Sequence, residues 1–249
     1  MQKRRADWLV GRITAKSAVA EALALPNDRP YRAIEIPSES NGMPYARVAP
    51  EAERLAGFAP GERLPVSVSI SHFDGHALCA AICWEPRDVG SRCALGIDLG
   101  PVEARSQAFL GTFFTEDEQR SVRDAPAWER GSRANQIWCA KEAVLKALGL
   151  GLTVDTRDLN CLPEPGLPDP AEWSMAPADD GWRPFVASLG PGLAPGVGTI
   201  RGIWRSFPRF VGALAFHATP AALSSQKASS RRPGTRRIEL LEDVWPTGG

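Results

Sequence analysis

The chain has 249 residues, and 29 Lys plus Arg cancel 29 Asp plus Glu. That length supports one large domain or two small ones, each able to bury a core. Zero net charge excludes a general nucleic-acid binder, which needs a basic excess, and no apolar run is long enough to cross a membrane.

Hydrophobic residues at 43% with charged residues at 23% describe a globular chain rather than a disordered one. The start, Met-Gln-Lys-Arg-Arg, leads into Ala-Asp-Trp, not into the apolar stretch of a secretory signal. Five scattered cysteines with no CxxC pair read as reduced thiols of a cytoplasmic protein.

Residues 6–25 carry Trp8, Leu9, Ile13, Val19, Ala20 and Leu23 at helical spacing, which predicts a helix. Residues 32–36 suit a short strand, 40–44 a turn, and 50–65 a polar loop. Strict alternation over 66–72 predicts a strand with Val66, Val68 and Ile70 on one face. Phe73-Asp74-Gly75 turns it into a second strand over 76–84, and a third follows at 93–99. From 103 to 150 the pattern is helical. Thr115 with Glu118 forms a capping box, and a long helix over 132–148 ends at Gly149 and Gly151. Residues 162–182 read as a Pro/Gly/Asp-rich loop, and strands are expected at 183–188, 199–206 and 209–217. From 220 onward Ala, Ser, Arg and Pro predict a mostly disordered tail. The fold class expected is therefore α+β, with two halves, 1–92 and 93–219, each offering helix and strands, followed by a tail at 220–249.

Four features carry chemistry. On a helical wheel Ala134, Ile137, Trp138, Val144, Leu145 and Leu148 fill one arc, and Lys141 falls inside it. A lysine there snorkels, pairs, or meets an anion. Glu142 lies at the edge of that arc and Lys146 one turn beyond it, an ordinary surface pair in the simplest reading. Asp98 ends an apolar strand between Gly96 and Gly100, as a ligand for a hard cation such as magnesium or as a helix cap. Ser71 and His72 precede a tight turn, where they suit a phosphate or plain turn chemistry. The first helix holds Lys3, Arg4, Arg5, Arg12 and Lys16 against Asp7, as a solvated basic face or an anion site. Residues 96–130 hold seven acids against four arginines, so the neutral total conceals a basic start and an acidic middle.

The order of these features is more specific than any one of them. Ile70-Ser71-His72, Gly96-Ile97-Asp98, Phe113-Phe114-Thr115-Glu116-Asp117-Glu118 and Trp138-Cys139-Ala140-Lys141-Glu142-Ala143-Val144-Leu145-Lys146 follow one another. That succession resembles the 4′-phosphopantetheinyl transferases of the surfactin-synthetase type. Gly149-Leu150-Gly151-Leu152 and Asn41-Gly42-Met43-Pro44 add to the resemblance, which runs from about Trp8 to His217.

The resemblance implies a pseudo-dimer of two α+β halves with coenzyme A in the cleft between them. It implies transfer of phosphopantetheine from coenzyme A to a serine of an apo acyl or peptidyl carrier protein, with release of adenosine 3′,5′-bisphosphate. Asp98 and Glu142 would then be Mg2+ ligands, with Glu142 also the base. Lys146 would stabilise charge on the transferred phosphate, and Lys141 would contact the pyrophosphate. Ser71 and His72 would bind the 3′-phosphate, with Arg12 and Lys16 as further coenzyme A contacts. A monomer is expected.

Three departures stand out. Gly100 occupies the place of a second acid, which a water or Glu103 would have to replace. Met43 stands where a lysine is usual. The chain begins almost at the first helix, which suggests a transferase domain related to those fused to polyketide synthases. The first two departures motivate an alternative, a catalytically impaired module that binds coenzyme A or a carrier protein.

Overall fold

In the computed structural model, residues 2–25, 30–83, 94–163, 181–193, 197, 199–217 and 239–240 are described. The elements run α1 (Gln2–Ala22), α2 (Pro30–Ala33), β1 (Ile34–Glu35), β2 (Tyr45–Val48), β3 (Arg63–Phe73), β4 (His76–Cys83), β5 (Ala94–Pro101), α3 (Gln107–Phe113), α4 (Glu116–Asp124) and α5 (Arg130–Leu148). A 3-10 turn (Thr156–Asp158) then leads into β6 (Leu159–Pro163), β7 (Arg183–Leu189), β8 (Thr199–Ser206), β9 (Phe210–His217) and β10 (Glu239–Leu240). The fold is α+β, with two five-stranded antiparallel sheets ordered β1-β2-β3-β4-β10 and β5-β9-β8-β7-β6.

Alternation builds the first sheet. Val66 and Val68 of β3, with Cys79 and Ala81 of β4, form a core against Ala15, Ala18 and Val19 of α1. The face of α1 laid on the sheet is therefore a stripe of small residues, with Gly11 close to Ile70 and His72. Of the apolar residues that predicted this helix, Val19 and Ala20 are buried, while Trp8, Leu9 and Ile13 stand exposed. Small side chains let the helix axis approach the strands, and the large ones would hold it away.

The opposite face of the first sheet meets the second. Leu78, Ala80 and Ile82 of β4 pack with Leu95, Ile97 and Leu99 of β5, together with Trp182, Ile203 and Leu214. Strand β5 is an edge strand of its own sheet. Serines of β3 satisfy part of its free edge: the Ile97 amide donates to Ser69 Oγ at 3.0 Å, and the Leu99 amide to Ser71 Oγ at 3.0 Å. The Ser-x-Ser alternation of β3 thus stands in for a neighbouring strand and joins the two halves.

On its outer face the second sheet carries α5. Gly96 makes this possible, since a Cβ there would lie 1.8 Å from the Ala143 carbonyl oxygen and 2.5 Å from the Ala147 amide. Gly149 caps α5 in the left-handed conformation, at φ 69°. Met43 and Asn41 of the first half pack against that cap.

Several expected boundaries change. The helical stretch over 103–150 holds the expected helices after the Thr115 capping box (α4) and over 132–148 (α5, from Arg130), and α3 is an additional helix before them. The expected strand at 32–36 contracts to β1 behind the single turn of α2, and β2, β6 and three residues of β3 inside the expected 50–65 loop are additional. Most of the expected 162–182 loop and of the expected tail lies outside the described residues, as does Cys93. Within the tail, Glu239–Leu240 forms β10, antiparallel to β4, so the end of the chain contributes to the first sheet.

Candidate functional site

Helix α5 is buried around most of its circumference. Trp138, Glu142 and Lys146, each one turn from the next, form a half-buried stripe along it. Phe109 and Phe113 of α3 pack against Trp138, with ring centroids 5.1 Å away in both cases. The stripe faces the end of β5, where Asp98 shares a strand face with Gly96 and Gly100.

There the two halves meet in one polar cluster. Lys146 Nζ donates to Asp98 Oδ1 at 2.7 Å and to the Ile97 carbonyl at 3.0 Å. Ser71 Oγ donates to the same Asp98 Oδ1 at 2.9 Å. Burial pushes the Glu142 carboxyl above the ordinary carboxylate range; the Asp98 charge pushes the same way, and Lys146 opposes it. Cys139, fully buried, also contacts Asp98, and its thiol is pushed up by burial first and by Asp98 second. A Cβ at Gly100 would lie 3.0 Å from Cys139 Sγ. The thiol occupies the space beside the position where a further acid was expected.

A second site lies on the α1 side of β3. His72 is exposed there and, with Arg12, Trp8, Ser38 and Pro44, lines a cavity of about 150 Å³. Arg12 donates to the Ile36 carbonyl, reaches Ser38 Oγ at 3.5 Å, and stacks over Trp8 at 5.4 Å.

The expected residues therefore fall into groups. Asp98, Glu142, Lys146 and Ser71 come together, and Arg12 joins His72. Ser71 and His72 do not share a site, because neighbouring strand residues point to opposite faces. Lys16 lies outside the cavity and donates to the Tyr31 carbonyl at 2.6 Å.

Lys141 lies apart from both groups. Its ammonium is 0% exposed, paired with Glu118 at 2.8 Å and donating to the carbonyls of Thr156 (2.7 Å) and Leu159. The Glu118 carboxylate also accepts from the amides of Thr115 at 2.8 Å and Cys161 at 2.7 Å. The pair locks α4, α5 and β6 together, and it leaves Lys141 no open face toward a pyrophosphate. Glu103 pairs with Arg105 at 2.7 Å rather than joining Asp98.

Sequence reasoning passed over three participants. Cys139 carried no signal within its motif. Trp8 looked like core. Glu118 was visible as a capping residue, but its role as the counter-ion of Lys141 depends on tertiary contact.

The donor set of the first cluster suits a hard cation. Two carboxylates, one of them raised by burial and by the other's charge, gain from a divalent ion between them. Among the described residues no group of three or more His, Cys, Asp or Glu is placed to hold a metal. Two protein ligands leave room for waters and substrate phosphates, as Mg2+ prefers.

No helix among the described residues is long and apolar enough to cross a membrane. No protein among those with curated descriptions matches the chain. One family model does match, over β5 to β7, a stretch that holds Asp98, Lys141, Glu142 and Lys146 but not Arg12, Ser71 or His72. Over residues 94–185 the chain is similar to the 4′-phosphopantetheinyl transferase superfamily.

Proposed function

We propose that the protein transfers the 4′-phosphopantetheine group from coenzyme A to a serine hydroxyl of an apo acyl or peptidyl carrier protein, releasing adenosine 3′,5′-bisphosphate. The observation that carries this reading is the convergence of Asp98, Glu142 and Lys146 within the segment similar to the transferase superfamily.

In this reading Asp98 and Glu142 hold a Mg2+ ion, which supplies neutralising charge to the pyrophosphate. Glu142 accepts the proton of the attacking serine hydroxyl. Lys146, held by its bonds to Ile97 and Asp98, would stabilise charge on the transferred phosphate. Arg12 and His72 bind the 3′-phosphate in their cavity. Lys141 acts from the core by holding the register of α5.

Purified protein incubated with coenzyme A, Mg2+ and an apo carrier should add the phosphopantetheine mass to that carrier. Fatty-acid, polyketide and peptide carriers tested in parallel identify the preferred acceptor. The reading fails if no carrier gains mass while a control transferase modifies each of them. The fit of Cys139 beside Gly100 favours one alternative, a module that binds coenzyme A or a carrier without turnover. Calorimetry distinguishes it by coenzyme A binding that is indifferent to Mg2+.

A further inference from the structure

We propose that Ser71 is a positioning residue for Asp98: it orients the cation-binding carboxylate from the opposite half of the molecule, and it does not bind the substrate phosphate. The inference rests on the reading that Asp98 holds a cation.

The hydrogen bonds carry the argument. A serine hydroxyl has one donor and two acceptor sites. Ser71 gives its donor to Asp98 Oδ1 at 2.9 Å and accepts from the Leu99 amide at 3.0 Å. It is buried, at 7% exposure. Its proton is therefore committed, and its side chain lies on the face of β3 opposite to His72 and the Arg12 cavity.

Asp98 gains a defined rotation from this arrangement. Ser71 and Lys146 approach the same oxygen, Oδ1, from different halves of the chain. Neither donates to Oδ2. Two donors on one oxygen fix the carboxylate plane, which a single contact would leave free to turn. Groups that orient a metal ligand in this way typically set metal affinity by about 10–100-fold. Ser69, two residues earlier on the same face, supplies an internal comparison. It accepts from the Ile97 amide at 3.0 Å in the same manner but is not hydrogen-bonded to Asp98.

The test compares Ser71→Ala, Ser71→Thr, Ser69→Ala and His72→Ala with the wild type. Mn2+ and Mg2+ binding is measured by calorimetry without coenzyme A, thermal melting follows folding, and transfer is measured with coenzyme A and with its 3′-dephospho form. Ser71→Ala should weaken Mn2+ affinity about tenfold or more. Ser69→Ala should lower the melting temperature to a similar degree with unchanged Mn2+ affinity, and Ser71→Thr, which keeps the hydroxyl, should restore binding. The loss in Ser71→Ala should be equal with both substrates, whereas the loss in His72→Ala should disappear with dephospho-coenzyme A.

Equal Mn2+ affinity in Ser71→Ala and Ser69→Ala overturns the inference while leaving the transferase reading intact. A Ser71→Ala defect that vanishes with dephospho-coenzyme A also overturns it, and returns Ser71 to the phosphate. Wild-type protein that binds neither cation overturns the metal reading itself, and the inference with it. If Ser71→Ala does not fold, the Thr variant decides: folded protein with weakened Mn2+ binding overturns the inference.

Discussion

Glu142 concentrates the chemistry in a single titration. Burial and the Asp98 charge raise its proton affinity in the folded chain above the ordinary glutamate value of 4.5, against the opposing pull of Lys146. The folded state therefore binds this proton more tightly than the unfolded chain, and ionisation of Glu142 opposes folding. Stability is lost as pH rises from the unfolded value through the raised folded one. In metal-free protein, Glu142→Gln should melt at a higher temperature than wild type at pH 7, and the difference should close as pH falls through that window. Melting curves at several pH values check this; a variant less stable than wild type at pH 7 would contradict it. A cation reverses the balance because it competes with the proton. Mn2+ affinity should decline on acidification at pH values above those where an ordinary glutamate titrates, and calorimetry across pH reads it. The same substitution should reduce transfer by about 10²–10⁴-fold, the usual contribution of a general base.

Helix α5 shows how one element can be legible in part. Its periodicity, its glycine cap and the position of Lys141 among apolar residues follow from 3.6-residue spacing. The partner of Lys141 does not, because Glu118 lies 23 residues earlier and already has a local role. In the capping box the Glu118 amide donates to Thr115 Oγ1 at 3.2 Å. Its carboxylate then continues inward to Lys141. Both partners are 0% exposed, so removing one strands the other. Glu118→Ala should destabilise the protein by about 3–5 kcal/mol, and the double change Glu118→Leu with Lys141→Met should recover most of that loss. Urea midpoints for the two variants separate the outcomes; equal losses would mean that the charges do not depend on one another. Gly96 acts on the same element from β5. A methyl group at that position collides with the backbone of α5 itself, which cannot rotate away as a side chain can. Gly96→Ala should therefore cost about 1–3 kcal/mol or more. Because α5 must lift from β5, it should also weaken Mn2+ binding through the separation of Glu142 from Asp98. Normal Mn2+ affinity in that variant would show that the helix had found another route.

Across the whole molecule, the α+β class was readable because long strands and helices announce their periods. The alternation in β3 put Val66 and Val68 on one face, and that face packs against α1. Most short strands were unreadable for the same reason: β2 has four residues, β6 five and β10 two. The join between the halves was also hidden, since the serines that cap β5 look like the polar face of a solvated strand. That join determines how the protein unfolds. Ile97 is fully buried in the core shared by β4 and β5, and its own amide is held by Ser69 of the first half. Neither sheet can leave the other without exposing Leu78, Ile82, Leu95 and Ile97 together. The two halves should accordingly melt as one unit, with a single calorimetric transition whose enthalpy matches the van't Hoff value. Ile97→Ala removes side-chain volume from this shared core and should cost about 2–5 kcal/mol. The loss should shift the whole transition downward rather than release one half. Two resolved transitions in the wild-type protein would mean that the halves are stable apart. Cation binding would then depend on their docking, and Mn2+ should raise the melting temperature of the pair only at the step where Ser71 meets Asp98.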